Sequence, residues 1–573
     1  MTDIYSGACP REVFAQYHAG VRYKNGLGVR GLYEQNKMNE RYLIGDQWHG
    51  VNCGNDRPLV RHNVIKRIAD YKMSWIGSAP IAVNYSADGV AYTAAMKKQV
   101  AAQRAGLSNG EGMDFAGSAV KNDEEINVVM SALSDYYHVT SERVKFDDIR
   151  EQALHNAYCS GTGIVYTYWD ERIQTGIYAD DRRKTAVCGD IAVEVLDVEN
   201  VYFGDPNLDD VQAQPYIIIA QRRGVDELRR EARRYGVPED EISRIVADGD
   251  VGYMAGQRGE NELEDSSSGK TVVLTRLWKQ WSDDGKGYRI MAVRVCEHAV
   301  VRPAWEMDIR LYPLAKFSWE RRRGCIYGDS EISYLIPNQI AINRMMTASV
   351  WAVMMMGMPI MMVNSDLISD EISNDPGQII RVAGDAEEVK SAAMYLNPPQ
   401  FSPAFDEIIA SLIGNTLSHA GASDAALGDL RPDNASAIIA VRDAATMPLQ
   451  TIKSRYYSFC EDIARIWADF WINLYGRRAL KVEDENGVWY FPFDGKRYSD
   501  LLVSTRVDVG DASVWGESKT LETLDGLFGK GIINVMQYLK RIPKGVVPDI
   551  TGLVREIQVA DKAVATAVAA DEE

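Results

Sequence analysis

Residues 324–363 read GCIYGDSEISYLIPNQIAINRMMTASVWAVMMMGMPIMMV. The tetrad Tyr327, Gly328, Asp329 and Ser330 makes a turn that opens a helix. The Ser330 hydroxyl can accept a first-turn backbone N–H, and Glu331 suits the positive end of the helix dipole. Ile332, Leu335, Ile336 and Ile340 recur at three- and four-residue steps, with Asn338, Gln339, Asn343 and Arg344 between them. From Met345 onward the segment is apolar all round, which predicts burial on every side. Gly357 and Pro359 end it. A helix from Ser330 to Gly357 would run about 40 Å at 1.5 Å per residue.

The run from Thr347 to Val363 is apolar enough to suggest a membrane span. Gly357 and Pro359 interrupt it, Arg344 stands close before it, and no basic flank follows, so a buried or intersubunit helix is the expectation. At 573 residues the chain is too long for one compact core, and several domains are expected. Its formal net charge of -18 disfavours a stable DNA reader, because duplex affinity comes mostly from Lys and Arg meeting phosphate. The seven cysteines are scattered without a CxxC or a Cys/His ligand set, which predicts a reduced compartment and no structural zinc. The N-terminal MTDIYSGACPREVF lacks a basic start followed by an apolar run, so no signal peptide is expected.

Along the chain, residues 63–81 carry a helical pattern closed by Pro80, and 86–118 form a small-residue insertion. Two amphipathic helices are expected between Asn122 and Tyr158, then strands at 164–169, 191–196 and 216–220. Residues 224–247 read as helix broken near Gly236 and Pro238. Its Arg229, Arg230, Arg233 and Arg234 are either a solvated face paired with nearby carboxylates or a positive face turned to a partner. An acidic linker covers 248–270, followed by strands at 271–280, 288–296 and 314–319. Helix 405–419, a small polar segment 420–436 and a long helix 437–475 kinked at Pro448 come next. That last helix carries an aromatic stripe (Ile463, Ile466, Trp467, Phe470, Trp471) expected in the core. Strands at 488–493 and 501–509 and a helix at 521–539 precede an Ala-rich end.

Two near-motifs carry no chemistry. Gly269-Lys270-Thr271 resembles the end of a phosphate loop, but Glu264 stands where the loop needs glycine, and the following VVLTRLW reads as strand. Gly328-Asp329-Ser330 resembles the nucleophile block of GDSL hydrolases, yet no histidine follows His419 and the only Asp-x-x-His, Asp135 to His138, precedes the serine. A helix cap is the better reading of Ser330. No catalytic residue, metal ligand or cofactor is expected.

The aromatic strand Phe317-Ser318-Trp319-Glu320, then Gly328-x-Ser330-Glu331-Ile332, Ile336-Pro337-Asn338-Gln339 and Asn343, resembles the portal proteins of tailed bacteriophages. The resemblance implies an α+β, mainly helical multi-domain fold of wing, stem, clip and crown forming a ring. It places a first part of the wing at 1–223, stem helices at 224–250 and 322–357, and a β-rich clip at 251–321. The rest of the wing follows at 358–515, with a tunnel loop at 421–436 and the kinked helix 437–475, and a crown at 516–573. It implies a homo-oligomer of twelve copies that passes double-stranded DNA without reading its sequence, in the virion at the portal vertex, after assembly in the host cytoplasm. Terminase, the major capsid protein and neck or adaptor proteins would be its partners, with no membrane. Asp424, Asp429, Arg431, Asp433 and Asn434 would face DNA from the tunnel loop, Arg229, Arg230, Arg233 and Arg234 would be the stem's basic residues, and Gly328, Ser330 and Glu331 would start the second stem helix. An acidic bore suits a conduit that must not grip. The competing readings are a plain surface loop at 421–436, a soluble enzyme with scattered catalytic groups, or a membrane-associated oligomer using 345–363.

Overall fold

The structure is a computed structural model that describes residues 9–49, 59–78, 81–86, 123–178, 186–248, 269–281, 288–357, 361–368, some positions between 381 and 395, 404–422, 446–484, 487–494, 504–509 and most of 514–539. In chain order the helices and strands begin with α1 (Pro10–Asn25), α2 (Leu32–Ile44), α3 (Val64–Gly77) and β1 (Ile81–Ser86). Then come α4 (Asp123–Val144), α5 (Phe146–Ser160), β2 (Thr162–Tyr178), β3 (Ala186–Leu196), β4 (Val201–Phe203) and β5 (Tyr216–Gly224). α6 (Val225–Arg234) and α7 (Glu239–Ile242) lead to β6 (Lys270–Trp281), β7 (Tyr288–Cys296), β8 (Ala299–Glu306) and β9 (Leu314–Ser318). The central helix is α8 (Ile332–Gly357), followed by β10 (Met361–Val363), β11 (Ala393–Tyr395), α9 (Ala404–His419) and α10 (Gln450–Leu474). β12 (Arg477–Asp484), β13 (Gly487–Asp494), β14 (Ser504–Val509), α11 (Val514–Gly529) and α12 (Val535–Leu539) complete the described elements. Helix and strand are mixed and helix predominates, which is an α+β fold.

Strand pairing crosses the boundaries drawn from the sequence. β4 to β8 form one antiparallel meander, so the β-rich unit begins at Val201 rather than after the acidic linker. β9, by contrast, leaves that meander and pairs with β2 in the order β3-β2-β9. β14 pairs with β1, which ties the late chain to the early chain. The sequence pattern does not announce β8 or β4. Pro303 argues against a strand, but β8 lies at the sheet edge, where a missing N–H costs nothing. β4 has only three residues.

The main core is aromatic and centred on α10. Trp467 and Trp471 are fully buried, and the Trp467 ring lies 5.0 Å from both Tyr137 and Phe146. Tyr456 meets Phe317 of β9 edge-on at 5.6 Å, and Trp319 meets Tyr158 of α5 at 4.8 Å. Such edge-to-face pairs contribute beyond the area they bury. The expected stripe on this helix is therefore core. The described part of the helix starts after a 3-10 turn at Met447–Leu449 that holds Pro448, a position where the missing N–H is tolerated. Residues 437–445 lie outside the described residues.

Candidate functional site

Gly328 sits where two backbones cross. Its N–H donates to Thr162 Oγ1 at 2.8 Å, and Asp329 and Glu320 exchange backbone hydrogen bonds of 2.9 and 3.3 Å. A Cβ on Gly161, which has φ +81, would lie 2.6 Å from the Gly328 carbonyl. Only glycine allows that approach. Asp329 is clamped by the Arg322 guanidinium in a two-point pair. Ser330 accepts the Ile332 N–H at 3.2 Å, as expected of a cap, and its own hydroxyl donates to the Tyr158 carbonyl at 2.6 Å. That buried, committed hydroxyl is a tie between helices, not a nucleophile. Glu331 does not sit free against the helix dipole. It is buried and paired with Lys72 of α3 at 2.5 Å.

The polar residues of the central helix form a ladder. Gln339, Asn343 and Thr347 follow one another at four-residue steps on one face of α8 and receive residues 60–65, the approach to α3 and its first two residues. Gln339 Oε1 accepts the N–H groups of Val64 and Ile65 at 3.0 and 3.3 Å, and its amide donates to the His62 carbonyl at 2.6 Å. Asn343 accepts the His62 N–H at 3.1 Å, and Thr347 accepts that of Val60 at 3.1 Å. Gln339 thus serves the first N–H groups of α3, which lack intrahelical partners, while Asn343 and Thr347 hold the residues before it. Gln339→Leu should therefore lower stability by about 2–3 kcal/mol, since buried backbone donors lose their acceptor. Thermal or denaturant unfolding of the variant would show this, and an unchanged midpoint would contradict it.

The second half of α8 differs from the expectation. Its apolar residues are not buried on every side within one chain: Val350, Val353, Met354, Met355 and Met356 are exposed, Val353 by 60%. The exposure continues at Met362 of β10 and Met394 of β11, which pair in register, and at Phe405 and Ile408 of α9, the helix packed on α8. Among the described residues, the all-round apolar pattern reports an exposed apolar surface. Among the described residues, no helix is long and apolar enough to cross a membrane.

The four arginines lie on α6, a helix of ten residues packed on the five-stranded sheet through Val225, Leu228 and Ala232. The helix stops at Arg234 because Gly236 takes φ +72 and Pro238 follows. Arg229 donates to the Ile245 carbonyl at 3.1 and 2.8 Å, which closes the short α6–α7 unit. Arg233 pairs with Glu239 at 2.8 Å and Arg234 with Glu171 at 3.1 Å. Among the described residues, Arg230 hydrogen-bonds only within its own helix, at the Asp226 carbonyl. Glu227 and Glu231 instead serve Arg223 and Arg294 on neighbouring strands. Arg233 with Glu239 fits the expected pairing with later carboxylates, whereas the Arg234–Glu171 and Arg294–Glu231 pairs join residues 63 positions apart and could not be read from spacing. The tunnel-loop residues Asp424, Asp429, Arg431, Asp433 and Asn434 lie outside the described residues. Gly269-Lys270-Thr271 leads into strand β6 rather than a helix, and among the described residues no group of His, Cys, Asp and Glu could hold a metal ion.

A family model described as Phage SU10 portal protein matches residues 173–481, more than half of the chain. The match takes in the five-stranded sheet, the glycine crossing at 328, the whole of α8 with its polar ladder, and α10. The chain belongs to this family of phage portal proteins. No curated protein matches it.

Proposed function

We propose that the chain is a subunit of a closed ring that forms the DNA channel at the portal vertex of a tailed-phage capsid. The observation that carries the reading is the uncovered apolar surface of α8, β10, β11 and α9. In a ring each copy offers two different complementary faces, and a heterologous contact that closes would bury such a surface against the next copy. The family's twelve-fold symmetry is the expected copy number. The channel would pass double-stranded DNA without sequence preference during packaging and ejection, and the acidic chain suits a bore that does not hold phosphate. The terminase, the major capsid protein and the neck or adaptor proteins would dock on the ring's outer and end surfaces. The chain would act in the virion after assembly in the host cytoplasm, as structure and not as an enzyme.

Within this reading α8 is the stem helix that starts at Gly328, Ser330 and Glu331, and the meander from β4 to β8 is the clip. The segment 421–436, with Asp424, Asp429, Arg431, Asp433 and Asn434, is the tunnel loop, and Arg230 is the basic residue of α6 best placed to meet a partner. Replacing Val353 and Met354 together by Asp should abolish assembly. The isolated subunit should keep its unfolding free energy within about 1 kcal/mol, because exposed positions tolerate substitution. Light scattering at assembly conditions separates the outcomes, and rings that form as readily as before would remove the apolar surface from the interface.

A further inference from the structure

A polar cleft of about 630 Å³ opens between β2, α6 and the edge of the five-stranded sheet. In the register of β7 with β8, Arg294 stands directly opposite Arg302, an arrangement of like charges that weakens a strand pair. One of the two charges is answered: Arg294 pairs with Glu231. Arg302 is not. Its guanidinium lies 3.7 Å from the Trp305 ring centroid and 4.2 Å from that of Tyr235. Among the described residues no carboxylate lies within ion-pair distance of it. The sandwich itself follows from an irregularity. Between the pairs Ala292–Trp305 and Arg294–Arg302, β8 spends one residue more than β7, and this bulge at Pro303 brings residues 302 and 305 to one side.

Rings against a guanidinium's faces leave its edge, where the N–H donors lie, free to meet an acceptor with two oxygens. Arg172 and Arg230 line the same cleft, and among the described residues neither has a carboxylate within ion-pair distance, although Arg230 acts on Glu227 from a distance. Three cations without a direct ion pair among the described residues fit a doubly charged oxyanion better than a single carboxylate. Glu227, Glu231, Asp170 and Glu171 stand among them and would repel the run of phosphates along a duplex. Burial also draws the Arg302 pKa downward, a cost that an anion at its edge would offset.

We propose that this cleft binds one phosphate monoester group, held edge-on by Arg302 with Arg172 and Arg230 beside it. The group could be carried by a small phosphorylated molecule or by the 5′ end of a nucleic-acid strand. The full-length chain is titrated calorimetrically, at constant ionic strength, with inorganic phosphate, a nucleoside 5′-monophosphate, and one oligonucleotide with and without a 5′-phosphate. The site predicts saturable binding of inorganic phosphate that weakens about tenfold or more in Arg302→Met, which keeps a side chain between the rings. Arg289→Met, at the exposed Arg289–Glu306 pair, should bind as the parent does. Tighter binding of the monophosphate names a small molecule as the source, and a preference for the phosphorylated oligonucleotide names a strand end. The proposal is overturned if phosphate gives no saturable heat, if Arg302→Met binds as the parent does, or if the unphosphorylated oligonucleotide binds equally and is equally lost in Arg302→Met.

Discussion

Gly328→Ala should destabilise the chain by about 3 kcal/mol or more, enough to leave much of it insoluble. The added methyl would be driven into the Gly161 carbonyl and to 2.8 Å from the Glu320 carbonyl. Both obstacles are backbone, and the Glu320–Asp329 bridge holds one of them in place, so relief requires the start of α8 to move. That movement would separate the Ser330 hydroxyl from Tyr158 and Glu331 from Lys72. Gly224→Ala is the matched control: φ is -63 there and no atom lies within 4 Å of where its methyl would stand, so its cost should stay within about 0.5 kcal/mol. Soluble expression and thermal unfolding compare the two. Equal behaviour of both variants would refute the crossing.

Lys72→Met is the second large effect. Lys72 and Glu331 have side chains only 6% and 11% exposed, and the second Glu331 oxygen has no partner among the described residues. Removing the lysine leaves a carboxylate buried without its cation, which costs about 3–5 kcal/mol, whereas removing both charges is often neutral. The double variant Lys72→Met with Glu331→Leu should therefore recover most of the loss, and the interaction term of the double-mutant cycle should exceed about 2 kcal/mol. A single variant that costs less than about 1 kcal/mol would show that water reaches the pair.

The parts of the fold that can be read in advance are those written locally. The 3.6-residue period marks α5, α8, α9 and α10, and the cap at Ser330 stands where the turn ends. The portal family, too, is legible, in the Gly328 to Asn343 pattern. The structure gives that pattern a physical content: Gly328 permits a backbone crossing, and Gln339 and Asn343 hold segment 60–65 from far along the chain. What escapes the sequence depends on pairing across distance. β2 runs on to Tyr178 past Trp169 because register shifts after Asp170 hide its alternation. Lys72 and Glu331 are separated by 259 positions. The Arg302 cleft draws its arginines from β2, β7, β8 and α6, and a one-residue bulge decides which way Arg302 faces. The apolar half of α8 reads as buried because all-round apolarity normally means a core; among the described residues much of it is exposed.

On the proposed reading these apolar residues meet another copy of the same chain. End-on class averages of the purified full-length chain under assembly conditions test it most directly. Closed annuli with a central hole and regular subunit lobes are the expected result. Particles that remain single subunits or compact dimers, with no annulus under any assembly condition, would contradict it.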